Sequence, residues 1–318
     1  MAGSNRAWEP VAVVDETSPP GSRPLRCSVP PWLRAAFDEV VIDASRNPWG
    51  FRNETWLAEL ADGRRFVATR LADRRAAAVV PARILAVQPR LIAVGLPVPT
   101  LAEPRSPRAR GVLISQFQDG VPGPDLLSET SGPAIVGSLL GSAWSRLALA
   151  DPVGLALPDL WARPDRLASS ARKWLAELAV GLARADRARL ANTIDMLPGL
   201  LGSRRAGILH GDLVPANIIV RDGVLVALLD LEFVRLGDPR LDAAWFDWIV
   251  WFHHRSIHRV AWQAFMTAGG IVPDDAPTQE TIRILPAIRL LEILHDLERG
   301  EPARPRWMEH LRAWLSRS

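Results

Sequence analysis

The stretch HGDLVPANIIVRDGVLVALLDLEF, residues 210–233, decides how this chain is read. Asp222-Gly223 is a two-residue turn signal between two apolar runs, IIV (218–220) and VLVALL (224–229), so the segment is expected to fold back as a short hairpin. Asp212 and Asn217 stand five residues apart in the loop before the first strand, and Asp230 ends the second. Such a hairpin returns Asn217 and Asp230 to the same end, placing carboxylate and amide oxygens around one point. Oxygen-only donors favour a hard cation such as Mg²⁺, which keeps several waters and takes its remaining ligands from phosphate oxygens. Asp212 need not bind the ion. At that mouth it can orient a hydroxyl and accept its proton as the oxygen attacks phosphorus.

Working outward, the clearest β signal upstream is ETWLAELA (54–61), an Asp62-Gly63 turn, and RRFVATRL (64–71). PWLRAAFDEV (31–40) predicts a short helix with Pro at its start, and GVLISQF (111–117) a buried strand reached through the Pro-rich GLPVPTL (95–101). Residues 74–94 are helical in character but interrupted by Pro81 and Pro89. From about 125 the pattern becomes amphipathic helix, over 133–150, 164–182 and 184–199, and after Pro239 the chain reads as helical almost to its end, with a loop at 269–277. Residues 1–30 are rich in Pro, Ser and Gly and predict a flexible leader. The outline is α+β: the leader, a small β-rich part over 31–117 and a larger, mainly helical part over 118–318.

Composition excludes several classes. Of 318 residues 48% are apolar and 23% charged, which argues against disorder, collagen and coiled coil. A net charge of +3 gives no general basis for nucleic-acid binding. One cysteine, Cys27, forbids an internal disulfide framework and a thiolate zinc site, and a reducing cytoplasm is the expected compartment. The start has no apolar signal region, and the apolar windows 134–144 and 243–252 are too short to span a bilayer, so no membrane partner is expected. The 38 cations are 37 arginines and the single Lys173.

His-Gly-Asp, then Asn, then Asp follows the order of the protein-kinase catalytic set, with Gly in place of Arg. HGDLVPANIIV, LLDLEF and GDPRLDAAW resemble the matching motifs of the aminoglycoside phosphotransferase family, which includes choline-kinase-like enzymes, and GFRNETWLAEL (50–60) resembles its nucleotide loop. The likeness runs in order over roughly residues 35–250; the last 65 or so carry no matching motif. The resemblance implies a bilobal protein-kinase-like fold using ATP or GTP with Mg²⁺. Asp212 takes the place of the catalytic base, and Asn217 and Asp230 those of the metal ligands. Gly50, Asn53 and Thr55 belong to the loop over the phosphates, and Gln116 and Phe117 to the hinge at the base. Arg70 stands where the family has a phosphate-contacting Lys, and His210 would fix the loop rather than carry a proton. Members place a Glu on the following helix to pair with that cation, yet 74–94 contains no Asp or Glu. Another acid, such as Glu54 or Glu103, must pair Arg70, or none does.

The neighbouring residues have scaffolding readings as well. Glu232 either helps hold the metal or faces solvent, Asp238 is placed to cap the helix starting near Pro239, and Asp242 to accept hydrogen bonds from the catalytic-loop backbone. Trp245, Trp248 and Trp251 form a helical stripe expected in the core, whose solvent edge, with Asp247 and Trp248, is a candidate wall for the acceptor. His254 and His258 are spaced i, i+4 without an HExxH pattern, so capping or solvated histidines are expected there rather than zinc. Residues 240–318 hold ten Arg and ten Asp+Glu, so no acidic excess awaits a polycation. The expected function is transfer of a γ-phosphate to a hydroxyl of a small molecule, an antibiotic in the first instance. A housekeeping kinase of choline or homoserine type, or a nucleotide-binding module without turnover, are the alternatives.

Overall fold

Asp62 and Gly63, the latter at φ +84°, turn the chain between two strands, in the first of which the buried Trp56, Ala58 and Leu60 alternate with less buried residues, and a sheet grows around that hairpin. The computed structural model describes residues 29–37, 41–46, 53–102, 111–178, 181–202, 205–272, 275–297 and 301–317. Most of the expected leader, with Cys27, therefore lies outside the described residues, as do Gly50 and Glu103. In chain order come α1 (Pro31–Ala36), β1 (Val41–Arg46), β2 (Glu54–Leu60), β3 (Arg65–Arg70), α2 (Arg74–Ala93), β4 (Leu101–Ala102) and β5 (Val112–Gln116). The five strands form one antiparallel sheet in the order β1-β2-β3-β5-β4. Leu33 and Ala36 of α1 pack with Ala44, Trp56, Ala58, Ala68, Val112 and Ile114 into its core.

Helix α2 runs unbroken through Pro81 and Pro89, against the expected interruption. Each proline removes one N–H donor, but both lie outside the buried stripe of Val80, Ile84, Val87 and Leu91, so the face that anchors the helix is intact. Asp73 caps the start by accepting the Arg75 N–H at 2.8 Å. Among the described residues this is the one helix long and apolar enough to cross a membrane, over Arg75–Ala93; Val79, Leu85 and Ile92 are exposed on it.

The chain continues through β6 (Val121–Pro122), α3 (Gly123–Leu126), α4 (Gly132–Leu147), α5 (Pro164–Leu178), α6 (Arg184–Leu201), β7 (Gly207–Leu209), β8 (Ile218–Arg221), β9 (Val224–Leu228), β10 (Arg235–Gly237), α7 (Arg240–His253), α8 (Arg255–Gly269), α9 (Ala276–Asp296) and α10 (Arg304–Ser316). Two units result: Met1–Leu126 with Ala216–Glu232, and Leu127–Pro215 with Phe233–Ser318. The hairpin β8–β9 joins the first unit because β8 pairs with β6, Val121 opposite Val220, and the Leu228 N–H bonds the Pro97 carbonyl at 2.7 Å.

In the second unit α4 and α8 approach so closely that a Cβ on Gly137 or Gly141 would stand 2.1 or 2.3 Å from a carbonyl oxygen of α8. A larger core joins α5, α6, α7, α9 and α10 through Trp174, Ile194, Trp245, Trp248, Ile288, Leu311 and Trp314. Buried within this unit, Glu292 of α9 accepts from Arg235 at 2.8 Å, Arg289 at 2.5 Å and the Trp161 indole at 3.1 Å. Burial pushes the Glu292 carboxyl up, and the two guanidiniums more than offset it, so it is held below its ordinary value.

Candidate active site

In the second unit the chain leaves β7 into His210-Gly211-Asp212. Gly211 sits at φ +80°, and a Cβ there would meet the Phe233 carbonyl oxygen at 2.3 Å, so only glycine fits. The Asp242 carboxylate, 1% exposed on the first turn of α7, accepts the His210 N–H at 2.7 Å and the Gly211 N–H at 2.8 Å. Burial pushes its pKa up, opposed in part by these two amides. His210 is buried too, and its Nδ1 receives the Asp212 N–H at 3.3 Å. Asp212 is half-buried, and its Oδ1 accepts the Trp245 indole N–H at 2.8 Å. Trp245 was legible only as a member of a core stripe; its spacing gave no sign of a bond to Asp212. Asp238 accepts the Arg240 N–H at 2.9 Å at the start of α7 and pairs with the buried Arg240 guanidinium at 2.6 Å.

Trp248 is fully buried with its indole N–H on His310 Nδ1 at 3.3 Å. Asp247 is 6% exposed, bonded to His258 Nε2 at 2.7 Å and to Arg317 at 3.1 Å. Half-exposed rings of this region include Trp251, Phe252, His253 and Trp307. Trp307 stacks on Trp245 at 6.1 Å, and the buried His310 ring lies 4.9 Å from Trp307, 3.7 Å from Phe252 and 5.1 Å from His253. Burial, reinforced by Arg306, holds His253 at about 4; burial, reinforced by His253 and Arg306, holds His310 at about 3. Both are neutral at pH 7.

In the first unit Ile218 stands opposite Leu228, and the Leu229 N–H bonds the Asn217 carbonyl at 2.8 Å, so Asn217 and Asp230 share one end of the hairpin. Asp230 is exposed and left-handed at φ +59°, a conformation rare outside glycine and common at functional positions. Among the described residues no three His, Cys, Asp or Glu side chains gather to hold a metal, including around His254 and His258. Asn217 and Asp230 offer an amide oxygen and a carboxylate. That donor set fits Mg²⁺, which binds few protein ligands and completes its shell with phosphate and water.

Close by in this unit, Glu232 accepts the Asn53 Nδ2–H at 2.7 Å, so its carboxylate ties the hairpin to the residue that precedes β2. The Asn53 Oδ1 takes the Ala72 N–H at 3.2 Å. Arg70, paired with Glu54 in the strand register, has Nη1 3.9 Å from Glu54 Oε2 and its guanidinium 5.9 Å from the Trp32 ring. Glu54 is thus its acid among the described residues, at the long edge of an ion pair. The Thr55 hydroxyl shares a hydrogen bond with that of Thr69 across the strands at 3.1 Å. Gln116 is exposed at the end of β5, and the Phe117 ring carries the Arg65 guanidinium at 4.3 Å.

Solved structures with the same fold include antibiotic phosphotransferases. The apo macrolide 2'-phosphotransferase MphH from Brachybacterium faecium is 21% identical, with a TM-score of 0.61 over 88% of this chain and 95% of that one. The GDP complex of aminoglycoside 2'-phosphotransferase-IIIa is 14% identical, with a TM-score of 0.69 over 88% and 94%. Aminoglycoside phosphotransferase APH(4)-Ia, in its ternary complex with ADP and hygromycin B, is 15% identical, with a TM-score of 0.63 over 87% and 94%. The fold, a β-sheet N-terminal region and a helical C-terminal part, is that of the protein-kinase-like phosphotransferases. Residues 43–264 match the phosphotransferase enzyme family, APH, and the chain belongs to that family. No curated protein matches it.

Proposed function

We propose that the chain transfers the γ-phosphate of ATP or GTP to a hydroxyl of a small molecule, with Mg²⁺ held by Asn217 and Asp230. The observation that carries this reading is Asp212. It is a half-buried carboxylate on a loop whose two preceding amides end on a buried Asp242, with Oδ1 set by Trp245. Asp212 receives the acceptor hydroxyl and takes its proton as the oxygen attacks phosphorus. Bound Mg²⁺ would offset charge on the donor phosphates. Asn53 and Glu232 hold the loop segment against the hairpin, and Arg70 faces the donor's phosphates with little competition from Glu54. The work of the chain is positioning and charge compensation.

The acceptor we propose is a large, weakly charged antibiotic, and the reaction its inactivation. The neighbours take both kinds of acceptor: MphH is named for macrolides, and a related complex holds kanamycin. Here Trp307 stacks on Trp245, and the His310 ring joins Trp307 to Phe252 and to neutral His253, with Arg306 near His253. Three buried carboxylates of this unit are engaged by protein groups, Asp242 by amides, Asp247 by His258 and Arg317, Glu292 by Arg235 and Arg289, and the exposed Glu309 lies near the Arg306 charge. A polycation would find little to pair with, whereas an apolar ring face would find partners.

The test is incubation with ATP or GTP, Mg²⁺ and a panel of macrolides, nucleosides, aminoglycosides, choline and homoserine, followed by mass spectrometry of the products. Phosphorylation of a weakly charged antibiotic is expected, and Asp212→Asn should slow it by roughly 10²–10⁴-fold while nucleotide binding persists. Turnover undiminished in that variant removes Asp212 from the base role; phosphorylation of choline or homoserine alone favours the housekeeping reading.

A further inference from the structure

Helix α2 supplies the first unit with a cation where the family's pattern calls for an acid. Its buried stripe includes Val80 and Val87, and Arg83 lies three residues from the first and four from the second, on the flank of the buried face. The Arg83 guanidinium is consequently half-buried, and its Nη1 donates to the Glu232 carbonyl at 3.4 Å, two residues past Asp230. The Glu232 carboxylate is bonded to Asn53. Among the described residues no carboxylate pairs with Arg83; burial alone acts on its ionisation, lowering its pKa without an offsetting charge. α2 itself contains neither Asp nor Glu. Arginine keeps its proton in such surroundings, so a half-buried guanidinium carries a desolvation penalty that an anion would relieve.

We propose that Arg83 is a second cation for the phosphates of the donor nucleotide, alongside Arg70. The pairing of a strand cation with a helix acid is thereby replaced by two arginines. Their planar forks suit the non-bridging oxygens of a polyphosphate, and the single long bond to Glu232 leaves the other donors of the Arg83 fork without a described partner. With no helix carboxylate to neutralise it, Arg70 also keeps its charge for the ligand. This inference rests on the reading of the chain as a nucleotide-using transferase and adds a residue to its donor site.

The experiment is calorimetric titration of the full chain with ATP, GTP, adenosine and guanosine in the presence of Mg²⁺, for the wild type, Arg83→Gln and Arg83→Lys. Loss of a charge-assisted contact predicts triphosphate binding weakened by about 10- to 100-fold in R83Q, partly restored in R83K, with nucleoside affinity unchanged. Equal loss for triphosphate and nucleoside, or no loss, overturns the assignment and makes Arg83 a prop for the 230–232 turn. Thermal melts of the three proteins separate a folding defect from a binding one, and R83K keeps the test sharp should R83Q melt early. A wild type that binds neither triphosphate sinks the transferase reading together with this one; a wild type that binds while R83Q is unchanged sinks this one alone.

Discussion

Two regions of the molecule, one in each unit, are held in opposite ways. Around 210–212 the backbone itself is pinned: two amides end on a carboxylate that is 1% exposed, and a glycine sits where no Cβ fits. Around 53–83 and 230–232 long side chains do the holding. Arg70 is more than half exposed and 3.9 Å from its acid, Asn53 bridges by its amide, and Arg83 reaches across at 3.4 Å. The difference follows from the tasks proposed for each. Proton transfer depends on hydrogen-bond geometry that fails within a few tenths of an ångström. Charge compensation follows Coulomb's law, which falls only as the inverse of distance, so a compliant cation serves nearly as well as a fixed one. This is also a physical reason for the motif to be intact in one place and drifted in the other, with Arg for Lys and an acid missing from α2.

That contrast can be broken by experiment. Asp242→Ala should be the most damaging change, because it strands two buried amides. A loss of about 2–5 kcal/mol in chemical denaturation is expected, with transfer falling further than folding alone explains. Stability unchanged in D242A would mean the loop is not pinned from α7. A smaller effect is expected from pH on the aromatic wall. His253 and His310 titrate near 4 and 3 in the folded chain and near 6.5 when unfolded, so the unfolded state binds more protons in between. The stability they contribute is complete above pH 6.5 and is lost as pH falls toward 4 and then 3. Thermal melts should drop by on the order of 5 °C between pH 7 and 5, and His310→Phe should flatten that slope. The mildest change is expected on the compliant side. Arg70→Lys should alter the nucleotide KM by no more than about threefold and leave kcat in place, since a point charge at that depth replaces a loosely held fork. A loss of a hundredfold would show that Arg70 is held as tightly as the loop.

Turns and order along the chain were readable. Asp62-Gly63 and Asp222-Gly223 reverse it where their dipeptides indicate, with Gly63, Asp222 and Gly223 all at positive φ. The Asp222-Gly223 turn brings Asn217 to the end shared with Asp230, while the irregularity between Ile219 and Val220 was not legible in the sequence. Pro81 and Pro89 misled, because a helix with a strong enough buried stripe survives the loss of two donors. The pairing of β7 with β10, Leu209 opposite Arg235, joins segments too short to show a strand period and separated by the whole hairpin. Trp248, read as part of a core stripe and as a candidate wall for the acceptor, is fully buried, with His310 of α10 against its indole.

The amino-acid sequence by itself determined where the chain turns, the Asp212, Asn217 and Asp230 order, and through them the family. Those depend on local dihedral preferences and on spacing, which are written in neighbouring residues. Only the tertiary structure decided that Trp245 bonds Asp212, that Glu232 ties to Asn53, and that Arg83 is half-buried without a described acid. Burial and charge pairing arise from residues tens to hundreds of positions apart, and no local pattern encodes which of 37 arginines will be drawn out of water.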